Sequence, residues 1–317
     1  MSDKPKISIV TASKNGARFL RNTIESILAQ SFTNYEHIVV DSCSTDGTID
    51  ILKEYKHIRW ISESDRHADE GFYKAAHLAR GEYIMLSCVS DLYQNRDWFS
   101  NCVEVLDNDP EVSLVYGLAQ NIREDGTPDK VICANFCNNP PPQKKDFLPF
   151  WLGTFTLCPE NTFCIRANIF RECFPRFAPT GCFFQNHALL SLNYNFNING
   201  YLPYFLPVVA SCGRYHFDSN SVKLAKLNRI MKVQYRSAII RYADKLLYEG
   251  QSHFFRDGQS NCIDAINFDN QGTFRKKVME YRINRKAYLG KRPSGTLSSG
   301  LRKSQIILRD FLLRTMN

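Results

Sequence analysis

The sequence has 317 residues, of which 44% are hydrophobic and 23% are charged. These proportions are ordinary for a folded protein and exclude global disorder, and the length allows about two domains of ~100–200 residues each. The net charge of +8 is uneven, because residues 222–317 carry 20 Lys and Arg against 7 Asp and Glu, whereas residues 1–221 are net acidic.

The amino-acid sequence shows no pattern typical of membrane insertion, of secretion or of a cysteine-based metal or redox motif. No apolar run approaches the ~18–20 residues that span a bilayer, and the first residues lack the basic and apolar regions of a signal peptide. We therefore expect a cytoplasmic protein, in which most of the 11 cysteines are reduced and buried. Their spacing contains no CxxC pair and no zinc-ribbon pattern.

The first third of the chain alternates short apolar runs with amphipathic stretches. Strands are predicted at residues 7–10, 37–40, 58–61, 83–86 and 113–116. Helices are predicted between them, at residues 19–28, 48–55, 71–78 and 98–106. This alternation indicates an α/β fold with a mostly parallel sheet that is covered by helices on both faces. Ligands bind at the carboxyl ends of such strands, so the polar residues that follow each strand are the first candidates for a site.

The rest of the chain changes pattern twice, which predicts three regions: 1–117, 118–221 and 222–317. The middle region is rich in Asn, Pro and aromatic residues and has little periodicity. The last region is helical again, with a long helix predicted at 222–247 and a final one at 304–314.

The basic excess of residues 222–317 favours an acidic partner, and an anionic membrane surface on the inner face of the membrane is the hypothesis we pursue. The alternative is a helix that buries its apolar face in a homodimer and leaves its charges solvated. A nucleic-acid partner is disfavoured, because the sequence lacks an aromatic-basic sheet motif and zinc spacing.

A polar loop follows the second predicted strand, which ends at Asp41. The Ser, Thr and Asp residues at 42–48 are suited to satisfying free N–H groups at a helix start, so part of this loop is simple capping. A carboxylate at the carboxyl end of a strand, by contrast, points toward the ligand crevice and accepts hydrogen bonds from a base or a ribose. Asp41 is therefore a candidate nucleotide contact.

Several segments together resemble a known family: IVTASKN (9–15), VVDSCSTDGT (39–48), SESD (62–65), ARGEYI (79–84), TFCIR (162–166) and RYH (214–216). The pattern resembles the family 2 glycosyltransferases, whose GT-A fold is a Rossmann-like α/β domain that binds a nucleotide sugar. The resemblance extends from residue 6 to about residue 221 and is strongest over the first 90 residues. It implies a nucleotide-sugar-binding half (1–117) and an acceptor-binding half (118–221), whereas the basic helical region (222–317) has no counterpart in the family pattern.

The resemblance also implies roles for individual residues in donor binding. Asp41 matches the acid that contacts the nucleobase, and Asp65 matches a second acid near the base. Lys74 matches a lysine that meets a phosphate. The remaining candidate contacts to the nucleotide sugar are Thr11, Ser13, Asn15 and Ser90.

The metal motif of the family, a Ser-Asp-Asp or Asp-x-Asp run, falls on residues 88–91, where only Asp91 is acidic. His216 matches a histidine near the diphosphate and the metal. Magnesium and manganese need only one or two protein carboxylates when water and phosphate oxygens complete the shell. Asp91 and His216 are therefore the predicted ligands of a divalent cation, Mg²⁺ or Mn²⁺.

The catalytic base is left with two candidates. The family places an Asp on a helix of the acceptor half, but the matching residues here are Gln185, Asn186 and His187. Asn cannot accept the proton, whereas His187 has a suitable ordinary pKa near 6.5. Glu160 is the other candidate, and the sequence does not decide between them.

Two functions remain open at this stage. The first is an inverting glycosyltransferase that uses a nucleotide sugar, with a UDP-sugar as the expected donor and a glycan or lipid-linked acceptor in bacterial surface polysaccharide assembly. The second is a degenerate relative that binds a nucleotide or glycan without transfer, which the loss of one metal acid and of the usual base would favour.

Overall fold

The computed structural model describes residues 4–66, 68–174, 188–217, 225–267 and 269–289. His187 and the predicted helix at 304–314 lie outside these ranges. In the first third of the chain the strands and helices alternate as predicted. The strands are β1 (Ile7–Ser13), β2 (Tyr35–Asp41), β3 (Ile58–Ser62), β4 (Tyr83–Leu86) and β5 (Leu92–Tyr93). The helices are α1 (Ala17–Leu28), α2 (Thr48–Glu54), α3 (Ala68–Leu78) and α4 (Trp98–Asn108).

The middle of the chain is more regular than its sequence suggests. Its strands are β6 (Val112–Ile122), β7 (Pro128–Ile132), β8 (Cys164–Arg166) and β9 (Leu202–Arg214). Its helices are α5 (Phe147–Thr154), α6 (Ala167–Cys173) and α7 (Ala188–Ile198), with 3₁₀ turns at Ala134–Cys137, Lys144–Asp146 and Glu160–Thr162. The predicted strand at 113–116 is thus only the first half of β6, which continues through residue 117 into the middle region.

The C-terminal region begins with the predicted long helix, α8 (Ala225–Tyr248). It continues with a hairpin that the sequence did not reveal, β10 (His253–Arg256) and β11 (Cys262–Ile266). Two helices follow, α9 (Gln271–Ile283) and α10 (Arg285–Leu289). Among the described residues, no helix combines the length and the apolar character needed to cross a bilayer.

One large sheet organises the molecule, with the strand order β3-β2-β1-β4-β8-β6-β9-β5, and β7 pairs with β6 outside this path. The strands β1 to β4 are mutually parallel, as predicted. Beyond β4 the sheet is mixed, because β8 runs antiparallel to both β4 and β6. The carboxyl ends of β1, β2 and β3 therefore meet at one edge, where a ligand crevice is expected.

The sheet is covered on both faces, because alternate side chains of each strand point to opposite sides. Ile84 and Leu86 pack into a large cluster with helices α3 and α5 to α9, whereas Tyr83 and Met85 pack on the opposite face with α4. Helices α1 and α2 cover Val39 in a third cluster. The predicted α/β architecture is confirmed, with nearly continuous apolar runs in its central strands as expected for strands buried on both faces.

The apolar face of α8 packs into the large cluster and is part of the core. Its buried side chains are Met231, Tyr235, Ala238, Ile239, Tyr242, Ala243, Leu246 and Leu247. The Tyr235 hydroxyl accepts a hydrogen bond from Trp151 Nε1 (2.9 Å) and donates one to Asn193 Oδ1 (2.8 Å). Since α5 and α7 supply these two partners, α8 is joined to the middle region by buried polar contacts as well as by apolar packing.

Candidate active site

The loops after β1 and β2 are held together by hydrogen bonds at the carboxyl edge of the sheet. Asn15 has a positive φ of 50°; its N–H donates to Ser44 Oγ (2.7 Å), and its Oδ1 accepts from the Thr45 N–H (2.9 Å). The Ala17 N–H donates to Asp46 Oδ2 (3.0 Å). These contacts explain why short polar residues are needed in both loops, and they give Asn15 a role in shaping the crevice.

Asp41 is fully buried at the end of β2, and its carboxylate is well supplied with donors. Oδ2 accepts from the Ser44 N–H (2.9 Å) and from Ser62 Oγ (2.9 Å), and Oδ1 accepts from Ser44 Oγ (2.5 Å). In this arrangement Asp41 fixes the loop after β2 against the end of β3. A nucleotide contact would have to share these oxygens or replace the serine donors.

Asp65 lies beside this loop, because its Oδ1 accepts a hydrogen bond from Ser42 Oγ (2.7 Å). A Cβ on Gly71 would lie only 3.2 Å from Asp65 Oδ2, so Asp65 also touches the start of α3. Lys74 is one turn further along α3, where its Nζ pairs with Glu63 (2.9 Å) and donates to the Ser64 carbonyl (3.1 Å). The structure thus brings Asp41, Asp65 and Lys74 to the ends of β2 and β3.

The candidate residues on β1, Thr11 and Ser13, are buried as Asp41 is. Thr11 Oγ1 lies 3.0 Å from His37 Nε2 inside the sheet, and burial lowers the pKa of His37 to about 3. The Ser13 hydroxyl is buried at the end of β1 and has no hydrogen-bond partner among the described residues. Thr11 therefore supports the sheet, whereas Ser13 is placed at the edge where a ligand could satisfy it.

The loop after β4, residues 87–91, passes close to the start of α1. A Cβ on Gly16 would lie 2.5 Å from Val89 Cγ1, so any larger residue would have to displace the Val89 side chain. Thr23 Oγ1 on α1 lies within hydrogen-bond distance of two carbonyls of this loop, those of Val89 (2.5 Å) and Asp91 (2.8 Å). Ser90 is partly buried in the same loop. The loop that carries the predicted metal motif thus packs against the start of α1 and is hydrogen-bonded to this helix.

Asp91 and Glu160, which are far apart in sequence, lie close enough to repel each other. Burial, together with the negative charge of Glu160, raises the pKa of Asp91 from its ordinary 3.8 to about 7. The Arg214 backbone N–H, the Asn161 amide and the Cys88 thiol donate hydrogen bonds to Asp91 and oppose this rise. Two acids with separately predicted roles therefore belong to one electrostatic site.

The space beside Asp91 is framed by two asparagines and a glycine. A Cβ on Gly213 would lie 3.8 Å from Asp91 Oδ1, 3.6 Å from Asn161 Nδ2 and 3.9 Å from Asn121 Oδ1. Gly213 and Asn121 are paired positions of β9 and β6. Asn121 and Gly213 were not predicted from the sequence, because nothing in its pattern shows that β6 and β9 pass beside Asp91. Asn161 could have been predicted as a site residue, because it directly follows the candidate base Glu160 in the sequence.

His216 follows β9 and packs on the ring of Phe19, with the ring centroids 4.8 Å apart. The Arg214 guanidinium also lies over Phe19, at 4.9 Å from the ring centroid. Phe19 and Thr23 are one turn apart on α1, and Thr23 holds the Asp91 carbonyl. His216 and Asp91 are therefore anchored to neighbouring turns of the same helix.

Cys88 stands where the motif has its first acid. Burial raises the pKa of the Cys88 thiol well above its ordinary value, so the group is neutral and cannot supply the missing charge. Among the described residues, no group of three or more His, Cys, Asp and Glu side chains is arranged to hold a metal ion. Any cation at Asp91 must therefore take most of its ligands from a bound substrate and water.

A protein-family model matches the part of the chain that carries most of these residues. The model for glycosyl transferase family 2 matches residues 8–174, which is slightly more than half of the chain. The chain belongs to glycosyl transferase family 2. Both the resemblance seen in the sequence and the predicted GT-A fold are thereby confirmed, and the match contains Asp41, Asp91 and Glu160.

Among curated proteins, the chain is similar to TuaG of Bacillus subtilis (strain 168), a proposed glycosyltransferase of teichuronic acid biosynthesis. The two are 32% identical over 139 residues, which are 41% of this chain and 54% of TuaG. The match thus spans about half the length of this relative.

Two solved structures share the fold. TarS 1-349 of S. aureus superimposes with a TM-score of 0.55 at 13% identity, covering 94% of this chain and 77% of TarS 1-349. The mannosyltransferase PcManGT of Pyrobaculum calidifontis, solved with GDP-Man and Mn²⁺, superimposes with a TM-score of 0.54 at 15% identity, covering 97% and 81% of the two chains. At these identities the likeness concerns the fold.

Proposed function

We propose that this protein transfers a sugar from a nucleotide-diphosphate donor to a glycan or lipid-linked acceptor in the assembly of a bacterial surface polysaccharide. The observation that carries this function is the placement of Asp91 next to Asn161 and Gly213, with the Glu160 carboxylate close enough to repel it, in a family 2 chain. The description of TuaG supports the polysaccharide role, and the complex of TarS 1-349 with UDP-GlcNAc (TM-score 0.52) supports a UDP-sugar as donor.

In this proposal the nucleoside occupies the ends of β1 to β3. Asp41 and Asp65 are acceptors for the base or the ribose, with Ser42 and Ser44 exchanging their internal hydrogen bonds for contacts to the ligand. The buried Ser13 hydroxyl finds a partner there as well. Lys74 lies partly buried at the same edge and leaves Glu63 to meet a phosphate oxygen.

The residues present are suited to a divalent cation that is bound mainly through the donor diphosphate. Asp91 offers a partly buried carboxylate whose charge is disfavoured in the free protein, and a neighbouring cation would relieve that cost. Asp91 and His216 would hold the ion, Mg²⁺ or Mn²⁺, which neutralises the charge of the departing nucleoside diphosphate.

The transfer step is a single displacement with inversion. Glu160 accepts the proton of the acceptor hydroxyl as that oxygen attacks the anomeric carbon, and the bond from that carbon to the diphosphate oxygen breaks. Inversion needs the base on the face of the anomeric carbon opposite to the departing diphosphate, so in this proposal the donor sugar lies between Glu160 and the diphosphate held near Asp91. His187 remains the other candidate base, and it lies outside the described residues.

Release of nucleoside diphosphate from a panel of UDP-, GDP- and dTDP-sugars tests this function. We expect slow release from a UDP-sugar in the presence of Mn²⁺ or Mg²⁺, faster release with a glycan or lipid-linked acceptor, and loss of release in excess chelator. A protein that binds nucleotide but releases nothing from any donor would be the degenerate binder instead. Full turnover in excess chelator would remove the cation from the mechanism.

A further inference from the structure

Helix α8 has a second apolar stripe, on the side that faces away from the core. Ile230, Val233, Ile240 and Tyr248 are 49%, 48%, 39% and 48% exposed. With 3.6 residues per turn, these positions fall on one side of the helix, together with Ser237 and Asp244. Isolated exposed apolar residues are common, but an aligned set on a helix whose other face is already buried is not explained by packing among the residues that the structure describes.

Basic side chains border this stripe on both sides. Arg229 and the half-buried Arg236 lie along one border, with the exposed Lys232 next to them on the side away from the stripe, and Arg241 and Lys245 lie along the other. At the end of the helix the Arg275 guanidinium stacks on Tyr248, 4.3 Å from the ring centroid. Asp244 is the one acid within α8, where it is partly buried and faces the positive charge of Arg282; Glu249 follows the helix.

We infer that this exposed face of α8 is a docking surface for an anionic lipid bilayer. An apolar strip with lysine and arginine on both flanks is the pattern of a helix that lies in the membrane interface, with its apolar side chains among the acyl chains and its cations at lipid phosphates. An aromatic residue at one end suits the headgroup level. Since α8 packs on the middle region through Trp151 and Asn193, attachment would hold that region near the membrane.

Charge complementarity favours the bilayer over a second copy of the chain. In a symmetric dimer formed through this face, the five basic residues of one helix would meet the five of the other, and Asp244 is the one acid that each helix contributes. Like charges brought together in this way oppose association. Anionic lipids instead provide the opposite charge at every position. Docking goes beyond the proposed transfer reaction and is independent of it.

Co-sedimentation of the full chain with vesicles tests this surface. We expect binding to vesicles of phosphatidylcholine mixed with phosphatidylglycerol, much less binding to phosphatidylcholine alone, and release by high salt. The variant R229Q/K232Q/K245Q should partition about a hundredfold more weakly, since each basic residue near an anionic leaflet adds a similar increment of binding. The matched control K53Q/K56Q/K130Q removes three exposed lysines elsewhere and should bind like the wild type.

A second variant separates lipid docking from assembly. I230S/V233S/I240S should keep the wild-type circular dichroism spectrum and unfolding midpoint, because its sites are exposed, and should lose vesicle binding even at low salt. Equal binding of the wild type to neutral and anionic vesicles would overturn the inference. So would a wild-type dimer that this variant converts to monomer while vesicle binding is unchanged. Neither result depends on whether sugar transfer is detected.

Discussion

Asp91→Asn is expected to stabilise the free protein and to abolish sugar transfer. The Asp91 pKa of about 7 lies above the ordinary value of 3.8, so the fold disfavours the charged carboxylate. Above pH 7 the native state must carry this charge, and the amide removes the cost. Because the side chain is partly exposed, we expect a gain of roughly 1–3 kcal/mol in the free energy of unfolding at pH 8, less than the full shift would give.

The gain from Asp91→Asn should depend on pH in a defined direction. Between pH 7 and 3.8 the native carboxyl is protonated while the unfolded one is still charged, so the wild type regains stability as the pH falls. The advantage of the variant should therefore shrink through this range and vanish near pH 4. Nucleoside diphosphate release should fall at least ~100-fold, since a group that neutralises leaving-group charge is lost.

Thermal unfolding at pH 8, 6 and 4 without divalent cations measures this effect. Asp129→Asn, at an exposed position of β7, is the matched control and should change neither stability nor turnover. Addition of Mn²⁺ with UDP should raise the unfolding midpoint of the wild type and leave that of Asp91→Asn unchanged. A variant that is destabilised at pH 8, or that retains full turnover, would contradict the role given to Asp91.

Removal of residues 222–317 is expected to prevent folding of the remaining chain. The truncation takes away five large apolar side chains of α8 that are buried in the main cluster: Met231, Tyr235, Ile239, Leu246 and Leu247. Full burial of such a side chain contributes about 1.5–3 kcal/mol, so their combined loss is comparable to the ~5–15 kcal/mol that stabilises a whole protein. It also leaves Trp151 Nε1 and Asn193 Oδ1 without Tyr235.

Circular dichroism and size-exclusion chromatography of the truncated chain check this expectation. We expect an aggregated or non-cooperatively unfolding product. The comparison variant I230S/V233S/I240S alters the same helix only on its exposed side and should unfold cooperatively, near the wild-type midpoint. A soluble 1–221 fragment with a cooperative transition would show that the C-terminal region is an independent addition.

The alternating strands and helices of the first third could be predicted from the sequence, because each strand is a continuous apolar run bounded by polar turns. β1, β2, β3 and β4 were each found within three residues of their ends. The long helix α8 was also predicted, since Met231, Tyr235, Ile239, Tyr242 and Leu246 follow helical spacing. Its second, exposed stripe was missed, because periodicity records only that a residue is apolar and not which side of the helix the fold covers.

The strands of the middle region could not be predicted from local sequence patterns. The strands β6 and β9 depend on pairing between residues about ninety positions apart, which no local pattern encodes. The same long-range pairing places Asn121 and Gly213 beside Asp91 and brings Glu160 close to it. Sequence reasoning identified Asp91 and Glu160 separately, from the residues expected near a diphosphate and an acceptor, but only the fold joins them.

Turnover of Glu160→Gln in the nucleoside diphosphate release assay tests the central claim most directly, namely that Asp91 and Glu160 form the reaction centre. A general base contributes about 10²–10⁴-fold to the rate, so release with acceptor should fall by at least ~100-fold while donor affinity stays within a few-fold of the wild type. Glu104→Gln, on the exposed side of α4, is the matched control and should be fully active. Wild-type turnover by Glu160→Gln would contradict the claim and leave His187 as the base.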